Sequence, residues 1–317
     1  MSLYIEKYRP KKREDIIGNK EEIDRIFSIV KTRNIPHMIF EGPSGTGKTS
    51  TALTIARTLF GDFYKSNFME KNASDESGVG VVRNSIKTFC TMAPLSADFK
   101  ILFLDECERI SPAAQDSLKR IMEDFSGVTR FIYSCNDISK VIEPIRSRCA
   151  EFHFSPLRNE DIAKQIRIVA KAESIEIEEE AVTFLAELAD GDMRKALNKL
   201  QVLASYGTSI NKKLLSNYDK LKNPIVGILN SLTQGRFLES RNTCKDLLLQ
   251  GYSERRIISD LHKAFIHNET IPPTVKGSAI IELCEADYRL TLGVSKGLQL
   301  DAVLLKILRC IKQDNET

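Results

Sequence analysis

HMIFEGPSGTGKTSTALTIARTLF, residues 37–60, joins a short apolar run to a helical run through a turn holding three glycines. The run HMIFE reads as a buried strand and TSTALTIARTLF as a helix, so the turn lies between them. Its core, GPSGTGKT (42–49), fits the pattern G-x-x-x-x-G-K-[ST]. Glycines there let successive backbone N–H groups turn inward around a phosphate, at the positive end of the following helix. Gly42, Pro43, Ser44, Gly45, Thr46, Gly47, Lys48, Thr49 and Ser50 are therefore the expected phosphate cradle. Lys48 is expected to reach the β- and γ-phosphates, and the Thr49 hydroxyl to bind Mg²⁺.

Downstream, KILFLDE (100–106) is the most apolar strand-like run and ends in Asp105–Glu106. A carboxylate at the tip of a buried strand is costly unless it meets a cation. Asp105 is thus expected to hold Mg²⁺ directly or through water, and Glu106 to orient and activate water. An Asp followed by Glu separates hydrolases from P-loop kinases, which deliver phosphate to a substrate hydroxyl. TRFIYSCN (129–136) reads as a further strand ending in Asn136, where open α/β sheets bind ligands. Its amide suits either the attacking water or the γ-phosphate, although asparagine is also a common turn residue. Arg194, in GDMRKALNKL, opens a helix and suits either the γ-phosphate or an ordinary surface.

Strands at 37–41, 100–106, 129–136 and 150–154, with another in NFMEKNAS (67–74) that leaves into a polar loop, alternate with helices at 19–33, 49–60, 79–90 and 111–125. That alternation predicts a parallel sheet covered on both faces. Asn19 is the expected cap of the first of these helices. Ser111 caps the last, with Pro112 at its first position. After Pro156 the pattern predicts helices only. Three span 158–173, 178–189 and 192–206, and four or five more follow residue 220, with breaks at Pro224, Gly235, Gly251, Pro272–Pro273 and Gly297. The expected domains are 1–156, 157–219 and 220–317.

Composition narrows the class. Hydrophobic residues make up 42% and charged residues 28%, ordinary for a globular chain with no apolar run near membrane-spanning length. The N-terminus MSLYIEKYRPKKRED lacks the apolar core of a secretory signal. Seven scattered cysteines, without a CxxC pair, predict reduced thiols in an intracellular compartment, cytoplasmic or nuclear. Net charge is only +3, and residues 220–317 hold 14 basic against 11 acidic residues, so a nucleic-acid surface has to be local.

These pieces, in this order, resemble the clamp-loader subunits among the AAA+ ATPases. YIEKYRP (4–10), GPSGTGKT (42–49), NASDESG (72–78), LDECER (104–109), SCN (134–136), SRC (147–149) and GDMRKALN (191–198) carry the resemblance. It implies an α/β P-loop domain with a parallel sheet, a small helical lid and an all-α C-terminal collar. It also implies ATP-dependent loading of a sliding clamp onto primer–template DNA, with ATP and Mg²⁺ as cofactors. The implied partners are a large subunit, further small subunits in a pentamer, the clamp and DNA. Tyr8, Arg9, Pro10, Ile17 and Gly18 are implied to lie near the adenine. Asn136 takes the sensor 1 role, Arg194 the sensor 2 role, and Arg148 that of a finger reaching the neighbouring subunit's γ-phosphate. Arg83, Asn84 and Lys87, on helix 79–90, are the expected phosphate contacts to DNA, against the alternative of a solvated helix face. Met92, in FCTMAP, is the expected apolar contact to the clamp or else a core residue. Cys107 and Glu108 stand where the family usually has Ala and Asp, Tyr4 where it has Trp, and Ser77 and Gly80 where it has Arg and Asp. Two other readings are a different DNA-acting AAA+ ATPase, for branch migration or helicase loading, and a nucleotide-binding scaffold with little hydrolysis.

Overall fold

The computed structural model describes residues 3–73, 79–207, 209–211, 224–268, 270–293 and 296–315. The chain forms two compact units, Met1–Asn211 and Lys212–Thr317. No helix among the described residues is long and apolar enough to cross a membrane.

The first unit is built on five parallel strands: β1 (His37–Glu41), β2 (Phe68–Asn72), β3 (Lys100–Asp105), β4 (Thr129–Cys135) and β5 (Cys149–His153). Their order across the sheet is β2-β3-β4-β1-β5, and three short helices, α1 (Tyr4–Lys7), α4 (Tyr64–Asn67) and α7 (Glu143–Arg146), lie in the segments around it. Successive side chains of a strand point to opposite faces, and both faces here are apolar. Met38, Phe40, Ile101, Phe103 and Ile132 pack beneath α2 (Lys20–Lys31) and α3 (Lys48–Phe60). Their immediate neighbours Ile39, Leu102, Leu104, Phe131 and Tyr133 meet α5 (Val79–Thr91) and α6 (Pro112–Asp124) on the other face. Phe40 and Phe103 are wholly buried, and truncating either to Ala costs about 3–5 kcal/mol.

Register then decides which residues meet. Leu104 lies beside Tyr133, and Glu41 beside Cys135. Asp105, Ser134, Asn136 and Gly42 therefore emerge together at the C-terminal edge of three adjacent strands. Gly42 N–H donates to the Cys135 carbonyl at 3.1 Å, carrying the alignment one residue beyond the ladder.

The helices α8 (Asn159–Ala172), α9 (Glu179–Ala189) and α10 (Met193–Ala204) follow the sheet as the pattern predicts. The expectation of helices alone is corrected, because β6 (Glu176–Ile177) and β7 (Ser209–Ile210) pair in parallel beside them. Two residues per strand leave no periodicity to read. Asn19 does not cap α2 through its side chain and adopts a left-handed backbone instead. Its amide donates to the Ser155 carbonyl at 3.0 Å and accepts from Ser155 N–H at 2.9 Å, pinning the chain after β5. Ser111 precedes α6 with Pro112 at the first position, as expected, but its hydroxyl makes no capping bond.

In the second unit the described helices are α11 (Pro224–Thr233), α12 (Phe237–Leu249), α13 (Glu254–His267), α14 (Pro273–Thr291) and α15 (Lys296–Asn315). They enclose their own core, with Ile228, Leu232, Leu261, Phe265, Leu304 and Ile307 wholly buried. Gly251 ends α12 with a left-handed backbone, as a helix-stopping glycine does. Gly297 is not a break: it falls within the first turn of α15.

Candidate nucleotide site

Lys48 is the one charged residue of the cradle, and it is buried, only 8% exposed at the start of α3. Its ammonium donates to the Gly42 and Pro43 carbonyls, the latter at 2.8 Å, and to Asn136 Oδ1 at 3.2 Å. Burial pushes its pKa down, while the carboxylate of Asp105 opposes that shift. The amine thus sits among acceptors that an incoming phosphate can replace.

The Thr49 hydroxyl donates to Asp105 Oδ2 at 3.0 Å, joining α3 to the end of β3. Asp105 Oδ1 accepts from the Ser134 hydroxyl and from Glu106 N–H at 3.1 Å. One face of the carboxylate is thereby fixed by the protein and the other meets Thr49. Mg²⁺ keeps several waters and takes only one or two protein ligands beside phosphate oxygens, so this donor pair fits it. Glu106 has a left-handed backbone, φ 56°, and its carboxylate pairs with Arg109 at 3.1 Å.

Beside the cradle lies a cavity of about 310 Å³, in the size range of small-ligand pockets. Tyr8, Arg9, Pro10 and Ile17 form one wall, Gly45, Thr46, Gly47, Thr49 and Ser50 the floor, and Arg194 another side. Gly18, Gly42, Pro43, Ser44, Lys48 and Asn136 are not on that wall. Gly18 packs against Leu157, and a side chain there would overlap it. Gly42, at φ 145°, passes so close to the Phe154 carbonyl that a Cβ would collide with backbone. The N-terminal segment is held to α8 through Glu173, which accepts from Lys7 at 2.6 Å and from the Tyr8 hydroxyl at 2.5 Å.

Several participants escape a reading of the sequence. Ile16, Leu157, Met193 and Leu197 give the cavity its apolar lining, and Gln165 adds an amide. Asp192 is buried; it accepts from Arg194 and Lys195 N–H at the start of α10 and from the Ser44 hydroxyl at 3.1 Å. An aspartate immediately before a helix is the one signal that marks it beforehand.

Arg148 is not gathered into this site. Its guanidinium pairs with Glu123 of α6 at 2.7 Å and donates to the Pro144 carbonyl at 2.7 Å. Arg146 pairs with Glu151 at 3.1 Å and Glu143 at 3.8 Å. Lys87 is exposed on α5, whereas the side chains of Arg83 and Asn84 lie outside those described, as do Ser77 and the side chain of Gly80's neighbours through residue 84. Phe89 and Cys90 join the core, while Met92 is 59% exposed.

Residues 38–157 match the ATPase family associated with various cellular activities (AAA), and residues 221–306 match the replication factor C C-terminal domain. The chain is 41% identical to a replication factor C small subunit of Picrophilus torridus, over 97% of both chains. It is 42% identical to that of Methanocella arvoryzae, over 95% of both. Among solved structures, the Thermotoga maritima RuvB Holliday junction branch migration motor aligns with a TM-score of 0.58 over 71% of this chain and 79% of that one. At 18% identity this last likeness concerns the fold alone. The C-terminal match and the near-complete alignments decide against a branch-migration assignment. The chain belongs to the replication factor C small-subunit family.

Proposed function

We propose that this chain binds ATP–Mg²⁺ in the cavity beside the P-loop and hydrolyses it with Glu106, Asn136, Arg194 and a neighbouring subunit's arginine. Membership of its family makes it a nucleotide-binding ATPase subunit of a multisubunit clamp loader acting in DNA replication. The finer assignments are inferences, and the Thr49–Asp105 hydrogen bond is the observation that carries them. It joins the two residue types that hold Mg²⁺ in P-loop enzymes at a distance an ion can divide.

The chain's own residues then have separable tasks. Backbone N–H groups of Gly45–Lys48 and the Lys48 ammonium hold the phosphates. Tyr8, Arg9, Pro10 and Ile17 bound the adenine side, with Gly18 behind them against Leu157. Thr49 and Asp105 would hold Mg²⁺, which when bound would neutralise phosphate charge. Glu106, once released from Arg109, accepts a proton from the attacking water, and Asn136 orients that water or the γ-phosphate. Arg194 approaches from the lid. Arg148 serves the adjoining subunit, consistent with its location away from its own cradle.

The same reading divides the chain at 1–156, 157–219 and 220–317 into nucleotide, lid and collar domains. Its partners are a large subunit, further small subunits in a five-membered ring, the clamp, and primer–template DNA. Arg83, Asn84 and Lys87 meet DNA phosphates, contacts that position without reading sequence. The test is Glu106→Gln in the assembled complex. It is expected to bind ATP as the parent does, with turnover reduced at least about 100-fold and no response to primer–template DNA or clamp. Retained DNA-stimulated turnover removes Glu106 from its role.

A further inference from the structure

Glu108 is unassigned in the reaction, yet it is bonded to the proposed sensor. Its Oε1 accepts from both Asn136 N–H groups: the backbone at 3.2 Å and Nδ2 at 2.8 Å. Asn136 Oδ1, at the other end of the amide, accepts from Lys48 at 3.2 Å. The three side chains form one line, from carboxylate to amide to ammonium.

The local backbone makes that line. The left-handed turn at Glu106 feeds a single 3₁₀ turn, Cys107–Arg109, closed by Arg109 N–H to the Glu106 carbonyl at 3.0 Å. Cys107 and Cys135, the last residue of β4, are both buried in the same apolar cluster. This shared burial fixes the turn over the strand end, and the next residue on each side is Glu108 and Asn136. Glu108 Oε2 is buried with no hydrogen-bond partner among the described residues. A buried acceptor left unmatched is retained against a cost, which the paired bonds of Oε1 offset.

We propose that Glu108 is a positioning residue for ATP hydrolysis, locking the Asn136 amide so that its carbonyl oxygen faces Lys48 and is free to accept from the attacking water. Without it, Asn136 rotates about its terminal torsion, and either end of the amide can face that water. The carboxylate chooses one end by accepting from Nδ2, a role a backbone contact alone does not fill. In the family's usual sequence this position holds Asp, whose carboxylate is one methylene closer to the chain. Glu108 makes the bond to Nδ2 at 2.8 Å from its place in the 3₁₀ turn. The inference rests on the proposed role of Asn136.

Steady-state ATPase of the full chain in its multisubunit assembly tests it, with Glu108→Ala, Glu108→Gln, Asn136→Ala and the double variant Glu108→Ala/Asn136→Ala. Glu108→Ala is expected to lower kcat at least about 10-fold with KM for ATP within about twofold, the mark of lost orientation rather than lost binding. Glu108→Gln keeps an acceptor oxygen at the same reach and is expected to stay within about threefold of the parent. The double variant is expected to be no slower than Asn136→Ala, because residues acting as one unit are non-additive. Parent-like kcat in Glu108→Ala, or losses that multiply in the double variant, overturns the proposal. If Glu108→Ala fails to fold by its thermal transition, Glu108→Met, of similar length and without an acceptor oxygen, is read by the same criteria. Parent-like turnover in Asn136→Ala overturns the sensor assignment itself; impaired Asn136→Ala beside unaffected Glu108→Ala overturns only the role of Glu108.

Discussion

Replacing Asp192 should separate three hydrogen bonds that act through one carboxylate. Oδ1 accepts from Arg194 N–H at 2.9 Å and Lys195 N–H at 3.3 Å, while Oδ2 accepts from the Ser44 hydroxyl at 3.1 Å. Loss of a helix N-cap costs about 1 kcal/mol. A hydrogen bond to a charged, buried acceptor adds about 2 kcal/mol. Asp192→Ala is therefore expected to destabilise the first unit by about 3 kcal/mol, lowering its Tm by roughly 6–12 °C for a unit of this size. Asp192→Asn keeps the cap, since asparagine caps as well as aspartate, and leaves Ser44 a neutral acceptor. Its cost is about 1 kcal/mol, roughly 2–4 °C. Ser44→Ala removes the same tie from the other side. Thermal unfolding of the full chain, followed by circular dichroism, measures all three. Equal losses in Asp192→Asn and Asp192→Ala, or no loss in Ser44→Ala, refute the claim that this carboxylate ties α10 to the P-loop.

Two further outcomes follow from individual contacts. His37 Nδ1 accepts from Phe131 N–H at 3.0 Å, and burial pushes the ring's pKa down to about 4. The unfolded chain then binds a proton that the folded chain refuses between about pH 6.5 and 4. Stability contributed by the neutral ring is complete above that window and is lost as pH falls through it. His37→Asn, which keeps an acceptor but cannot titrate, should flatten the urea-measured stability difference between pH 7 and pH 5; an unchanged slope counts against it. Arg148→Ala in the assembled complex should abolish most ATP turnover while sparing ATP binding, and Glu123→Gln, which frees the same guanidinium, should retain turnover. Normal turnover in Arg148→Ala excludes it as the finger.

The first domain's sheet was readable because its central strands are apolar runs and the connections between strands carry a helical period, although β2 (FMEKN) and β5 (CAEFH) are mixed. HMIFE and KILFLD are legible in this way, and so are the residues at their ends, Lys48, Thr49 and Asp105. Contacts that reach across the chain are not. Asn19 looks like a helix cap from its neighbours alone, yet its amide is committed to Ser155, 136 residues away. Ser44 and Asp192 are 148 residues apart, and no spacing rule connects them. Glu108 shows the same limit at short range: its departure from Asp is visible, but its use depends on a left-handed turn at Glu106 and on the burial of Cys107 and Cys135 in one cluster.

The strand order β2-β3-β4-β1-β5 also has a consequence for synthesis. The P-loop is made early, but its strand must wait for β4, about ninety residues later, before it gains a neighbour on that side. Asp105 and Asn136 reach Thr49 and Lys48 only when β4 has inserted between β3 and β1. Such non-local parallel pairing is slow to form. ATP that binds only the completed arrangement stabilises that arrangement and no earlier one. The nucleotide is thus a late-acting ligand of folding, able to retain the finished sheet but not to nucleate it.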